Sequence, residues 1–315
     1  MRIVPFLFSV LAVISACSSG TEKRIQLKLN GTWESARTGL HDSVPGSFPS
    51  TVPVPGLVDM AAPALDHPDS AFTNSLYWYR KTFSLHDADV VRLKINMAKY
   101  HTRVYLNDQF VGEHVYNFTP ALFDLKPYLS ERGQENELVI SVGCRNNLPD
   151  TVISGHDYEK IKYIPGIYDE VKIITSGYPY ISNVQVVPDP ETGTVRVLAD
   201  CERSSPGQRT GLEYTIRELE SGKVASKGKV VSKGKVASKG KVASRGNADP
   251  GDRSGDRSGK NLTKLNFIAT LPEVILWTPE NPFLYELELE TEGDIITTRF
   301  GMRTVSYTHL TLPTN

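Results

Sequence analysis

The chain has 315 residues, 39% of them hydrophobic and 23% charged, with a formal net charge of -1. That length suffices for two domains with appendages. A charge so near zero sets up no field that would draw nucleic acid or a membrane surface as a global partner.

At the start, the apolar run from Ile3 to Val13 follows Arg2 and is too short to span a bilayer, so it reads as a secretory signal. Ile14-Ser15-Ala16-Cys17 closes the run and resembles a bacterial lipoprotein signal, in which Cys17 is acylated and becomes the mature N-terminus. The alternative is an ordinary signal peptide cleaved near Ala16. A lipid on Cys17 would tether the protein to a membrane without spanning it. The expectation is an exported protein, anchored by lipid at the periplasmic or cell-surface side, with residues 18–26 as a polar tether.

Residues 27–178 carry the signature of an antiparallel sandwich, a jelly roll. Leu27 to Trp33 predicts a first strand with a turn, and the proline-rich stretch Val44 to Pro68 predicts an irregular wrap over a surface. Leu76 to Leu85 is an aromatic strand. Val91 to Met97 alternates apolar and charged residues, the period of a half-buried strand. The stretch Thr102 to Leu129 then organises the domain. Val104 and Leu106 alternate with Arg103 and Tyr105, and Asn107-Asp108 offers residues that tolerate positive φ for a tight hairpin. Phe110-Val111-Gly112 begins the return strand, and Asn117-Phe118-Thr119-Pro120 turns the chain again. Asn136 to Cys144 and Ile167 to Thr175 complete the set. A run of short strands separated by Gly, Pro and Asn predicts an all-β fold.

Tyr178-Pro179-Tyr180 marks a boundary. Residues 179–304 predict a second sandwich of immunoglobulin type, with strands at Ile181 to Val187, Val195 to Ala199, Leu212 to Leu219, Leu262 to Leu271, Phe283 to Glu290 and Ile295 to Met302. Tyr285, Leu287 and Leu289 alternate there with Glu286, Glu288 and Glu290. A low-complexity insert is expected at 221–260, where the hexamer S-K-G-K-V-A/V recurs from Ser226 and a Gly-Asp-Arg-Ser pair follows. Its lysines could meet phosphates, yet no aromatics are interleaved to stack bases, and Asp249, Asp252 and Asp256 offset the charge. The expectation is an exposed hairpin tip. Val305 to Asn315 does not continue the domain and resembles an in-frame translation of a transposase sequencing adapter.

Beyond Cys17, only Cys144 and Cys201 remain, and both are expected as buried free thiols. Neither has a neighbour at metal-ligand spacing, so no metal or cofactor is predicted. His101, His114 and His156 are expected on the solvent side.

Several stretches together resemble glycoside hydrolase family 2, the beta-galactosidase, beta-glucuronidase and beta-mannosidase group. They are Leu29-Asn30-Gly31-Thr32-Trp33, Pro53-Val54-Pro55-Gly56, Trp78-Tyr79-Arg80-Lys81-Thr82-Phe83, Val104-Tyr105-Leu106-Asn107, Asn136-Glu137-Leu138, Pro165-Gly166-Ile167-Tyr168, Trp277-Thr278-Pro279 and Phe300-Gly301-Met302-Arg303. Their shared order over Leu27 to Thr304 carries the likeness. The resemblance implies a jelly-roll sugar-binding domain, an immunoglobulin-like domain, and then a catalytic (β/α)8 barrel beyond Thr304. Glycoside hydrolysis needs a general acid and a second carboxylate across the sugar. The family carries both on the barrel, so no catalytic residue is expected in these residues.

The resemblance also implies that the segment before Gly166-Ile167-Tyr168 can reach substrate. Asp157 and Glu159 are then the carboxylates for sugar hydroxyls, with Tyr158 or Tyr163 as a stacking surface; the alternative is a solvated loop. Asp169 stands where the family often has arginine, a departure that bears on the sugar rather than the fold. The expected partner is an oligo- or polysaccharide, the expected membrane contact is the lipid alone, and a homo-oligomer is compatible with the sequence. A stand-alone carbohydrate-binding surface lipoprotein is the alternative to a glycosidase front portion.

Overall fold

A computed structural model describes residues 23–66, 72–131, 134–155, 159, 161–205, 208–231 and 261–304. The expected signal with Cys17, most of the lysine-glycine repeat and the Val305 to Asn315 tail lie outside the described residues. Among the described residues the regular structure is almost entirely strand, interrupted by three short 3-10 turns at Val58–Met60, Lys126–Tyr128 and Arg145–Asn147.

The first sandwich faces a six-stranded sheet against a four-stranded one. The larger runs, in spatial order, Ser50–Val54, Gly31–Thr38, Leu76–Phe83, Asn136–Val142, Thr102–Leu106 and Gln109–His114. The smaller runs Arg24–Lys28, Val171–Ser176, Val90–Ile95 and Ala121–Asp124. Trp33, Tyr77, Tyr79, Leu138 and Ile140 from one sheet pack on Val91, Leu93, Ile95, Phe123, Val171 and Ile173 from the other. Alternation alone puts these side chains between the sheets. The hairpin turn forms at Asn107 (φ 51°) and Asp108 (φ 63°), which pair Leu106 with Gln109. The Asn107 side chain then donates to the Tyr128 carbonyl at 2.9 Å and accepts from the Glu137 amide at 2.9 Å, so the turn is tied to its neighbours.

Trp78 and Val139 point to the other face of the larger sheet, where Val44 and Phe48 cover them. That is the surface the proline-rich stretch wraps. The same stretch also contributes Ser50–Val54, paired at the sheet edge, where proline is tolerated. The first strand with a turn expected over Leu27 to Trp33 is two strands in opposite sheets. The chain crosses between them at Leu29-Asn30 and turns through Gly31 at φ 110°.

The second sandwich packs Tyr180–Asp189, Thr194–Arg203 and Asn261–Thr270 over Val224–Val231, Gly211–Glu218, Tyr285–Glu290 and Ile295–Phe300. Tyr285, Leu287 and Leu289 are buried as their alternation requires, each contributing about 1.5–3 kcal/mol by leaving water. The strand Val224–Val231 lies inside the stretch expected as insert, which is a correction to where regular structure ends. On its own the hexamer buries too little to fold, but the strand Gly211–Glu218 supplies a template. Gly228 lies beneath the Tyr214 ring, where a Cβ would come within 2.7 Å, and Val230 is buried. Tyr214 in turn stacks on Phe267 at 4.8 Å.

Buried charges join the sandwiches. The Arg24 guanidinium donates from Nε to Asp294 Oδ1 at 2.7 Å, makes a second bond to Oδ2, and also donates to the Ile181 carbonyl at 2.7 Å. Asp294 is fully buried and accepts the Ile181 amide at 2.7 Å. Arg92, 2% exposed, donates to Glu202 at 2.7 Å and faces Asp124. Burial pulls the Arg92 pKa down, yet the Glu202 hydrogen bond and the Asp124 charge outweigh it and the net shift is upward. Tyr180 lies between the two guanidiniums, at 4.9 Å from Arg24 and 5.7 Å from Arg92.

Candidate functional site

The end of the first sandwich away from that junction is where the segment singled out from sequence lies. The strand Val171–Ser176 starts beside this end and finishes at the junction, about 20 Å along. A small sheet of Gly56–Leu57, Gly166–Ile167 and Ala98–Lys99 closes it. Gly166 is required there: a Cβ would meet the Gly56 carbonyl at 2.5 Å and Leu57 Cα at 2.7 Å. The Pro55-Gly56 and Pro165-Gly166 motifs are therefore two sides of one backbone contact, completed by the Val58 amide donating to the Pro165 carbonyl at 3.0 Å.

The loop ahead of Gly166 alternates. Lys162 and Ile164 line a cavity of about 270 Å³ with Val58, Leu65, Asp66 and Phe72, and Asp59 at its edge. Asp66 accepts the Tyr77 hydroxyl at 2.9 Å and lies 3.5 Å from Arg37. Burial, then that hydrogen bond, pushes the Tyr77 pKa up. Between Lys162 and Ile164, Tyr163 turns inward and is 5% exposed, with the Arg145 guanidinium 4.6 Å over its ring.

Tyr163 is thus a buried support rather than the open stacking surface expected from sequence. Burial follows from strand-like alternation: its two neighbours face the cavity, so its own side chain faces the core. Glu159 is exposed. Asp157, Tyr158 and His156 lie outside the described residues, as does Cys17.

His101 is a second departure. It is buried rather than on the solvent side, with Nε2 3.0 Å from Glu113. That contact, set against a smaller opposing effect of burial and joined by Arg103 at 3.3 Å, holds the Glu113 carboxyl below the usual range. His114 is half-buried, 3.0 Å from the Thr119 hydroxyl, and burial lowers its pKa. Among the described residues, the Tyr100 hydroxyl, His101 Nδ1 and Asn117 Oδ1 are buried without a hydrogen-bond partner, as are Arg92 Nε and Nη1 at the junction. Burial raises the Tyr100 pKa, and Tyr163 adds to it. No local pattern announces Arg145 or Tyr100, because each acquires its neighbours from a distant stretch of chain.

Cys144 and Cys201 are buried free thiols, and burial pushes Cys201 up to about 12. Both are therefore poor nucleophiles. Among the described residues no His, Cys, Asp and Glu group is placed to hold a metal, and no helix is long and apolar enough to cross a membrane. Of the residues expected at this site, the structure leaves the Glu159 carboxylate open to solvent, with Tyr163 beneath the half-buried Arg145 guanidinium.

In the second sandwich, two more of the ordered motifs meet. The Trp277 amide donates to the Met302 carbonyl at 2.8 Å, and Arg303 lies 4.8 Å over the Trp277 ring. Comparison with family models agrees with this order. The model described as "Glycosyl hydrolases family 2, sugar binding domain" matches residues 23–177, and the one described as "Glycosyl hydrolases family 2" matches 180–303. The chain belongs to glycosyl hydrolases family 2.

Within that family it is 22% identical over 244 residues to the beta-galactosidase large subunit of Leuconostoc lactis, covering 75% of this chain and 33% of that protein. It is 25% identical over 251 residues to a beta-galactosidase of Thermoanaerobacter pseudethanolicus, covering 73% and 28%. The fold is shared with a beta-D-glucuronidase of Dictyoglomus thermophilum, with a TM-score of 0.57, 20% identity, and coverage of 91% of this chain and 45% of that one. The chain thus spans a third or less of these curated relatives, and corresponds to the family's sugar-binding and immunoglobulin-like domains.

Proposed function

We propose that this chain is the non-catalytic front portion of an exported, lipid-anchored glycosidase that hydrolyses O-glycosyl bonds in a glycan outside the cytoplasm. The observation that carries the reading is the pair of family matches in consecutive order over residues 23–177 and 180–303. Relatives named as beta-galactosidases support hydrolysis of a glycoside by the longer polypeptide. In this reading the first sandwich contributes contacts to sugar, through the loop carrying Asp157, Tyr158 and Glu159, and the two carboxylates of retaining or inverting hydrolysis lie past Thr304.

The test compares two polypeptides on a panel of aryl glycosides. The chain ending at Thr304 is expected to show no turnover, and a polypeptide extended with the adjoining genomic sequence is expected to cleave at least one substrate. Turnover by the shorter chain overturns the reading. An adjoining sequence without a barrel and its two glutamates replaces it with a stand-alone carbohydrate-binding surface lipoprotein. For the anchor, the Ile14-Ser15-Ala16-Cys17 sequence is the support. Labelled palmitate should enter the wild-type protein and not Cys17→Ser. Self-association, if it occurs, is read by light scattering of the purified chain.

A further inference from the structure

We propose that the edge of the second sandwich beside Gly211–Glu218 is a strand-binding site that reads the pattern Val-x-Ser-Lys-Gly-Lys-Val, and that three segments of this chain are interchangeable occupants of it. The inference goes beyond the glycosidase reading and does not depend on it. The strand in place, Val224–Val231, has the sequence Val-Ala-Ser-Lys-Gly-Lys-Val-Val. Residues 230–237 read Val-Val-Ser-Lys-Gly-Lys-Val-Ala, and residues 236–243 read Val-Ala-Ser-Lys-Gly-Lys-Val-Ala. The three windows differ only at their second and eighth positions.

What holds the first window is common to all three. Ser226 pairs with Ile216, Gly228 with Tyr214 and Val230 with Leu212 across the antiparallel ladder. Gly228 has to be glycine, because a Cβ would come within 2.7 Å of the Tyr214 ring. That ring is buried and stacked on Phe267 at 4.8 Å, so it has little room to give. Val230 is buried. On the solvent face Lys229 Nζ donates to Glu213 at 2.8 Å, and Lys227 lines the same cavity as Glu288 and Glu290. Past Val231 the later windows lie outside the described residues, and their sequence supplies the same groups: Gly234 with Lys235 and Val236, then Gly240 with Lys241 and Val242.

The connections discriminate weakly between occupants. Seating the second window lengthens the loop after Glu218 by one repeat, and a doubling of loop length lowers occupancy only about threefold. The first window also keeps the contacts of its own turn, where the Glu218 amide donates to the Lys223 carbonyl at 2.9 Å and Lys223 Nζ lies 3.2 Å from Glu218. Both effects favour the occupant seen in the structure. With the third window seated, residues 244–260 still reach up to about 55 Å toward Asn261, more than the length of either strand they join.

Thermal melting of the whole chain reads the redundancy. Gly228→Val expels the first window and a later one should replace it, so the melting temperature should fall by less than about 2 °C. Gly228→Val with Gly234→Val should behave alike. Adding Gly240→Val leaves no window that fits, and the melting temperature should then fall by about 5 °C or more. The full fall on Gly228→Val alone overturns the proposal, as does a triple variant as stable as the wild type. A second readout is independent of stability. In the Gly228→Val background, Glu213→Cys should form a disulfide on mild oxidation with Lys235→Cys, which takes the place of Lys229 opposite position 213. It should do so in preference to Lys233→Cys, whose place in the window is opposite Thr215. Equal crosslinking at the two positions, or none at Lys235→Cys, overturns the proposal.

Discussion

The two ends of the first sandwich differ in how far their buried polar groups are paired. At the junction with the second sandwich, Arg24 meets Asp294, Arg92 meets Glu202 and Asp124, and Tyr180 lies between the two guanidiniums, although Arg92 Nε and Nη1 are themselves buried without a hydrogen-bond acceptor. At the far end, the Tyr100 hydroxyl, His101 Nδ1 and Asn117 Oδ1 are buried without partners, and Arg145 is held by a ring rather than by an acid. Matched charges fix one geometry, because removing either member strands the other in a dry interior. Unmatched groups lower stability and persist where something other than stability is served. The junction is thus the part where opposite charges tie the two modules together across the buried interface.

That contrast can be broken most sharply at Asp294. Asp294→Ala leaves Arg24 buried with no counter-charge, and an expected loss of about 3–5 kcal/mol follows. Denaturant unfolding should show it as a lower midpoint. An unchanged midpoint would mean the junction charges hold nothing. Glu202→Gln is milder, because Arg92 keeps Asp124; about 1–3 kcal/mol should be lost in the same measurement. At the far end the sign should reverse. Tyr100→Phe removes a buried hydroxyl that has no partner, so stability should stay level or rise by up to about 1 kcal/mol. A loss larger than that would show that the hydroxyl has an acceptor after all.

Local pattern reveals some of this molecule and not the rest. The Asn107-Asp108 hairpin and the alternation Tyr285, Leu287, Leu289 are written in adjacent residues, and both form as read. The split of Leu27 to Trp33 between two sheets is invisible locally, because each half alternates equally well in either sheet. The strand Val224–Val231 hides in a repeat whose composition suggests solvent, since its burial comes from Tyr214 on the neighbouring strand. The junction pairs join residues 110 and 270 positions apart, and no window of sequence contains both partners. Tyr163 was legible as an aromatic residue in the right loop. Its inward orientation and its role beneath Arg145 depend on residues far away in the chain.

The strand that places Gly228 under Tyr214 also bears on how this gene can drift. The repeat unit that supplies it, S-K-G-K-V-A/V, has an even number of residues, so adding or losing one copy leaves glycine, valine and lysine on the faces they already occupy. An odd-length unit would turn the strand inside out at each copying slip. Copy number at this edge can therefore vary between lineages as a nearly silent change, in a chain whose central strands admit no such slack.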